Sequence, residues 1–256
     1  NTGNLNMAWW RTEPIVSALR VYTWDGTTWD RKGSDITGLN MPTQYDQSGN
    51  ITSVGGFGGN VTISGDGNVI AVMKLAEGED SCEIYEWTGS NYTHQSSLTS
   101  SLTTGYFYAE DQYGFWENCR LDLNSNGTVL AVLGSYKAVG VFDYFGGSWN
   151  LRLKAQDEFG RMLPKYAESP STVSLVKVRI SDDGNRVAFL SMTYEGYLWV
   201  YDWSGTEWTL ARYVVGNMYA DTNFEFGDLG NDFGFNSDGT KLFVINYQKL
   251  IHLDVN

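Results

Sequence analysis

With 256 residues, of which 42% are apolar, 15% aromatic and only 18% charged, the chain has room for one large all-β domain or two small ones, and its composition excludes an intrinsically disordered chain and argues against a large helical bundle. Its 10 Trp, 16 Tyr, 12 Phe and 29 Gly beside 4 Pro describe many short strands joined by tight turns. A net charge of −13 excludes the basic stripe that neutralises nucleic-acid phosphates, and the lack of an apolar run of about 18 residues excludes a membrane-spanning helix.

Residues 1–16, with Trp9 and Trp10, precede any repeat, and the chain opens at Asn1 without a charged and then apolar export segment, so its start reads as processed or trimmed. An aromatic unit follows, V-Y-x-W-x-G-x-x-W, carried by Val21, Tyr22, Trp24, Gly26 and Trp29. The glycine-rich stretch Gly55 to Gly59 reads as a flexible connection, because it lacks the Lys-Ser/Thr and the following helix of a phosphate loop. A turn unit then begins, in which apolar alternation (Val61, Ile63) leads to a polar turn (Asp66, Gly67) and an apolar strand (Val69 to Val72). It recurs around Asn126-Gly127, Asp183-Gly184 and Asp238-Gly239, at intervals of 60, 57 and 55 residues between the turn glycines. The aromatic unit returns after three of them: Tyr85, Trp87, Gly89 and Tyr92; Phe142, Tyr144, Gly146 and Trp149; Tyr201, Trp203, Gly205 and Trp208. A last apolar strand, Leu250 to Val255, ends the chain.

Each x-Gly step supplies the positive φ that a tight hairpin needs, and the flanking alternation gives strands with one buried face. Each repeat is therefore two hairpins, four antiparallel strands a, b, c and d, and their recurrence predicts an all-β fold, a β-propeller of about five four-stranded blades with four as the alternative. The paired aromatics of strands c and d suit the outer part of a blade, where neighbours diverge and bulky side chains fill the wedge.

The S-x-D-G turn unit followed by V-Y-x-W-x-G-x-x-W resembles the integrin-α-like (FG-GAP-type) propellers, with Phe57-Gly58 and Tyr113-Gly114 standing where that family has its Phe-Gly. The resemblance covers residues 17 to 256 and implies a recognition or adhesion module. It also raises calcium as a cofactor, yet the turns here keep one carboxylate (Asp66, Asp238), two (Asp182 with Asp183) or none beside Asn126, short of a full D-x-D-x-D-G loop, so no cofactor is assigned.

The domain division is 1–16 as an N-terminal extension or closing strand and 17–256 as the propeller. Four a, four b, five c and four d strands do not divide into whole blades. Either the termini share a blade, or the spare stretch Leu5 to Arg11 pairs with an open edge on a neighbouring copy, a contact that builds a filament if it does not close; the alternative is that residues 1–16 pack across their own propeller.

Catalytic chemistry finds little support. His94 and His252 are far apart in sequence, no G-x-S-x-G elbow exists, and Cys82 and Cys119 lack zinc spacing. Paired carboxylates remain available, with acidic clusters at Glu77, Glu79 and Asp80 and at Asp221, Glu225, Asp228 and Asp232, but solvated loop charge explains both. Sequons place glycans at Asn50, Asn60, Asn91 and Asn126, of which Asn91 in a c–d turn and Asn126 in an a–b turn are the accessible pair. Cys82 and Cys119 begin strands that open on the same side, so either they form a disulfide stabilising by about 3 to 4 kcal/mol or they are two unrelated half-buried thiols. The expectation is a non-catalytic, secreted or surface-exposed recognition or structural module, glycosylated, with itself or protein or glycan ligands as partners and no nucleic acid. The alternative is a carbohydrate-active hydrolase or lyase with paired acids in the propeller channel.

Overall fold

Positive-φ glycines set the hairpins. Gly67, Gly127, Gly184 and Gly239 have φ between 68 and 74°, and Gly26, Gly89, Gly146 and Gly205 range from 63 to 103°. Around them a computed structural model describes residues 18–37, 44–45, 51–53, 56–75, 81–99, 120–133, 139–152, 175–191, 197–215, 232–245 and 250–255. All the regular structure among these residues is β.

Three meanders of four antiparallel strands form complete blades, each in the order a, b, c, d. Blade 1 is β7 (Gly56–Ile63), β8 (Val69–Leu75), β9 (Ser81–Trp87) and β10 (Tyr92–Thr99). Blade 2 is β11 (Arg120–Leu123), β12 (Val129–Leu133), β13 (Val139–Phe145) and β14 (Ser148–Leu151). Blade 3 is β15 (Leu175–Ile180), β16 (Arg186–Ser191), β17 (Tyr197–Trp203) and β18 (Trp208–Val215). Among the described residues blade 4 has three strands, β19 (Asp232–Phe235), β20 (Lys241–Ile245) and β21 (Leu250–Asp254).

Ahead of them, β1 (Ala18–Leu19) pairs with β4 (Ile36–Thr37) and β2 (Tyr22–Trp24) with β3 (Trp29–Arg31), a single c–d hairpin in two short ladders. A further pair joins β5 (Gln44–Tyr45) to β6 (Ile51–Ser53). Of the stretch expected to be a connection, Gly55 to Gly59, Gly55 lies outside the described residues and the rest instead belongs to β7, with Gly56 opposite Leu75 and Phe57 opposite Lys74; a register shift before Val61 absorbs the extra residues. The extension 1–16, with Trp9 and Trp10, lies outside the described residues.

The core is divided by blade boundary. Val69, Ala71, Cys82 and Ile84 of blade 1 pack on Leu121, Leu123, Leu130, Val132 and Phe142 of blade 2. Val129, Ala131, Leu133 and Val141 of blade 2 pack on Val178, Val187, Phe189, Trp199 and Trp208 of blade 3. Ala188, Leu190, Leu198 and Val200 of blade 3 meet Phe233, Leu242 and Val244 of blade 4. The hairpin follows the same rule, Ile36 covering Ile70, Val72 and Tyr92 of blade 1 with Leu19 and Val21 beside it. Period-2 alternation thus gives every blade a forward face, turned to the next blade, and a rear face, turned to the one before. Complete burial of residues such as Ile84, Leu130 and Trp199 supplies about 1.5 to 3 kcal/mol each, so these seams carry the stability.

Candidate functional site

In an up-and-down blade the a–b and c–d turns emerge at the same end, so the turn units form an inner row and the aromatic-unit turns an outer row on one face. The inner turns share one wiring. Ser64 Oγ donates to Asp66 Oδ1 at 2.6 Å, the amides of Asn68 and Val69 donate to Ser64 Oγ, and Asn68 N donates to Asp66 Oδ1 at 3.0 Å. Ser181, Asp183, Asn185 and Arg186 repeat it, and Asn124 with Asn126 and Asn236 with Asp238 use an amide where the serine stood. Burial raises the Asp66 and Asp183 carboxyls, but these donors outweigh it and hold both below the usual range, and the Thr240 hydroxyl and amide lower Asp238.

Turns of neighbouring blades interlock. Asp66 N donates to the Ser125 carbonyl at 3.0 Å, and Ser125 N to the Asp182 carbonyl at 3.1 Å. Gly127 and Gly184 sit directly on the preceding blade: a Cβ on either would lie 2.5 Å from Val69 Cγ2 or 2.6 Å from Val129 Cγ2. Glycine is required there twice over, for its φ and for its lack of a side chain.

A polar side chain three residues after the first aromatic of strand d clamps the next blade. Lys32, after Trp29, donates its Nζ to the Gly67 carbonyl at 2.5 Å and stands over the rings of Trp87 and Tyr92, 4.9 and 5.5 Å from their centroids. Arg152, after Trp149, donates Nη1 to the Gly184 carbonyl at 2.5 Å, binds Asp143 through Nε at 2.6 Å, and stands 5.2 and 5.5 Å from the Trp203 and Trp208 ring centroids. Between them Gln95, after Tyr92, accepts from Trp149 Nε1 at 3.1 Å. The fourth such position is Ala211, and it faces a blade without the aromatic pair: Val255 N donates to the Thr240 carbonyl as Trp87 N does to Asn68 and Trp203 N to Asn185, so Val255 stands where the tryptophans do. There Arg186, held by Asp202 at 2.5 and 2.9 Å, supplies the bond to the Gly239 carbonyl at 2.6 Å.

The innermost strands are joined by side chains reaching sideways. Asn60 Oδ1 accepts from Leu121 N at 3.3 Å, Thr62 Oγ1 from Leu123 N at 3.2 Å, and Asp122 Oδ2 from Ile180 N at 2.8 Å. Asp232 binds Lys177 Nζ at 2.9 Å and Arg179 Nη2 at 3.1 Å, while Arg179 Nε donates to the Phe233 carbonyl at 3.2 Å. Burial pushes the Asp122 carboxyl up to about 6, against the pull of the Ile180 amide and Arg179.

One polar cluster lies inside blade 1. Glu83 accepts from Ser81 Oγ at 2.5 Å, from Ser97 Oγ at 2.5 Å and meets His94 Nε2 at 2.7 Å. Ser97 Oγ is also 3.1 Å from that same Nε2, so serine and carboxylate share one imidazole nitrogen. A nucleophilic triad needs them on opposite nitrogens, and the Ser97 proton here points to Glu83. Burial raises Glu83, but its three donors outweigh it and hold the carboxyl below its ordinary range.

Of the sequon asparagines, Asn91 is exposed in the outer turn of blade 1, with Oδ1 accepting from Ser34 N at 3.0 Å, and Asn126 is exposed in the inner turn of blade 2. Asn60 is half-buried on β7, and Asn50 lies outside the described residues. Cys82 is buried on β9; Cys119 lies outside the described residues, and with it the expected pairing. Glu77, Glu79, Asp80, Asp221, Glu225 and Asp228 lie outside as well, while Asp232 belongs to the Lys177–Arg179 staple. Among the described residues no group of three or more His, Cys, Asp or Glu is arranged to hold a metal, and no helix is long and apolar enough to cross a membrane. The clamp residues and the Glu83 cluster escape the sequence reading, although the spacing Trp29-x-x-Lys32, Tyr92-x-x-Gln95, Trp149-x-x-Arg152 is visible once the aromatic unit is extended by three residues.

No family model and no curated protein matches the chain. Among solved structures it is similar to the Cps50 (Swd1) β-propeller domain of Myceliophteria thermophila, at 12% identity and a TM-score of 0.50, over 91% of this chain and 63% of that one. A candidate 6-phosphogluconolactonase from Bacteroides uniformis gives 12% and 0.50, over 89% of this chain and 57% of that one. TolB from Acinetobacter baumannii gives 10% and 0.46, over 93% and 46%.

The fold is a β-propeller.

At these identities fold is all that is shared, and the chain spans less than two thirds of the length of each of these three neighbours. No family model supports the integrin-type resemblance.

Proposed function

We propose that this propeller is a non-catalytic recognition or structural module, secreted or surface-exposed and glycosylated at Asn91 and Asn126, that presents its outer turns to a protein or glycan partner. The observation that supports it most is where the polar side chains are spent: Lys32, Arg152, Arg186, Asp122 and Asp232 join one blade to the next, and Glu83 joins two strands of one blade. A side chain committed to a neighbouring carbonyl or amide is a poor acid, base or nucleophile. Variety is carried instead by the turns, with Phe145 exposed between Tyr144 and Gly146, Asn91 in the first blade and Thr206 with Glu207 in the third. The turn and aromatic units support kinship with the integrin-α-like repeats within the propellers.

Two measurements on the same preparation test this reading. Binding to arrays of glycans and extracellular proteins is expected to weaken tenfold or more on Phe145→Ala or on exchange of residues 204–207, with the melting temperature unchanged. Turnover of neutral or acidic polysaccharides that disappears in Asp122→Asn or Asp232→Asn would overturn it in favour of a carbohydrate-active enzyme.

A further inference from the structure

We infer that the propeller associates head to tail with a second copy of itself, the forward face of blade 4 in one copy docking on the rear face of the N-terminal hairpin in the next. Every interior seam sets a forward face carrying strands b and c, or c and d in the hairpin, against a rear face, and in three of the four seams that rear face carries the c–d aromatic pair, the exception being blade 4, where Val255 takes the place of the tryptophan. The described residues leave one face of each kind over.

The unused rear face is Tyr22, Trp24 and Trp29. By position Trp24 corresponds to Trp87, Tyr144 and Trp203, and Trp29 to Tyr92, Trp149 and Trp208. The two rings form the same tilted pair, centroids 5.4 Å apart, as Trp87–Tyr92 at 5.1 Å and Trp203–Trp208 at 5.2 Å. Yet Trp24 is 50% and Trp29 67% exposed, where Tyr92 and Trp208 are 8% and 1%.

The unused forward face is Lys241, Phe243, Leu250 and His252. Lys241 occupies the position of Arg186, the residue by which blade 3 clamps blade 4, and Phe243 that of the buried Ala71, Ala131 and Ala188. Leu250 and His252 stand where blade 3 has Leu198 and Val200. Phe243 and His252 stack at 5.6 Å, and Phe243 and Leu250 are 36% and 64% exposed. Five of the eight large exposed hydrophobics among the described residues therefore lie on these two faces.

The faces are complementary in kind: one offers a cation beside apolar groups, the other an aromatic pair of the type Lys32 and Arg152 cover elsewhere, flanked by Asp25 and Asp30. Both faces are exposed among the described residues, and their complementarity is what selects a second copy as the occupant. A forward face meeting a rear face is heterologous, so the contact propagates into an open chain or closes into a ring of copies. This extends the scaffold reading, and its failure would leave that reading standing, because binding by the outer turns does not need it.

Light scattering and sedimentation on the whole chain across a concentration series test the contact. The mass per particle is expected to rise from one chain to two and beyond, and Trp29→Asp or Lys241→Glu to return it to one chain with an unchanged circular-dichroism melt. Mixing the two variants is expected to give particles of two chains and no larger, since each keeps one intact face and the mixed contact ends both ways. A wild-type protein of one chain at every concentration would overturn the proposal, and so would a Trp29→Asp protein that still doubles by itself.

Discussion

Arg152 and Gly184 belong to different blades, and the guanidinium of the one donates to the carbonyl of the other at 2.5 Å while lying over Trp203 and Trp208. Lys32 repeats the arrangement on Gly67, Trp87 and Tyr92. The contact places a charge-assisted bond at the turn that starts a blade and a cation on the aromatic pair that finishes it, so two ends of one blade are fixed by a side chain of its neighbour.

Arg152→Ala is expected to destabilise the fold by about 3 kcal/mol, because it removes two charged hydrogen bonds and a buried cation–π contact at once. Arg152→Lys keeps the charge but not the fork, and should recover about half. Urea midpoints measure both, with the exposed Arg20→Ala as a control that leaves the midpoint where it was.

Gly127→Ala combines a left-handed backbone, φ 71°, with a Cβ 2.5 Å from Val69 Cγ2. Backbone strain of about 1 to 2 kcal/mol and overpacking of about 1 to 3 add to a loss of about 2 to 5. Gly205→Ala, whose Cβ would meet nothing within 4 Å, should lose only the strain. The double variant Gly127→Ala, Val69→Ala should recover part of the clash, giving a measurable coupling between two blades by thermal or urea unfolding.

Asp122 carries a pH signature. Its folded carboxyl titrates at about 6, above the ordinary 3.8, so the folded state holds the proton more tightly than the unfolded one. Its contribution is fully present below about 4 and is lost as pH rises to about 6, a change of roughly 3 kcal/mol at 1.36 kcal/mol per unit. Asp122→Asn keeps an acceptor for Ile180 N and removes the charge, so it should gain stability on wild type between pH 4 and pH 6 and hold that gain above. Unfolding curves at pH 4.0, 5.0 and 7.0 would show it; a gain that does not grow with pH would contradict the assignment.

Glu83 has the opposite sign. Its carboxyl is held below the ordinary range by Ser81, Ser97 and His94, so its contribution is present above the unfolded pKa and lost as pH falls through the folded one. Glu83→Gln should therefore cost stability at neutral pH and little at pH 3, which the same unfolding curves would report.

Local repetition made the fold legible. Gly67, Gly127, Gly184 and Gly239 mark their hairpins because each needs a positive φ that only glycine takes cheaply, and the aromatic units mark strands c and d for the reason that wide outer seams need large side chains. The glycines from Gly56 to Gly59 misled, since a bulged strand and a loose connection have the same local composition. The candidate sites were harder to read because their partners lie far apart in sequence. Ser97 faces Glu83 only once the β9–β10 register is known, and Arg152 meets Gly184 only once blades 2 and 3 are packed. The exposed Trp24 and Trp29 look in sequence like their buried counterparts; what differs is that no described strand packs behind them.

The most direct test of the display-scaffold account is the intact mass of the native protein before and after enzymatic deglycosylation, with peptide mapping of the modified asparagines. An N-linked glycan attaches at Nδ2 and leaves Oδ1 of Asn91 and Asn126 to accept from Ser34, Thr128 and Asn124, so modification is compatible with both turns. The account predicts excess mass at Asn91 and Asn126 that the enzyme removes. A native protein whose mass equals that of the bare chain, 28.6 kDa, would contradict it.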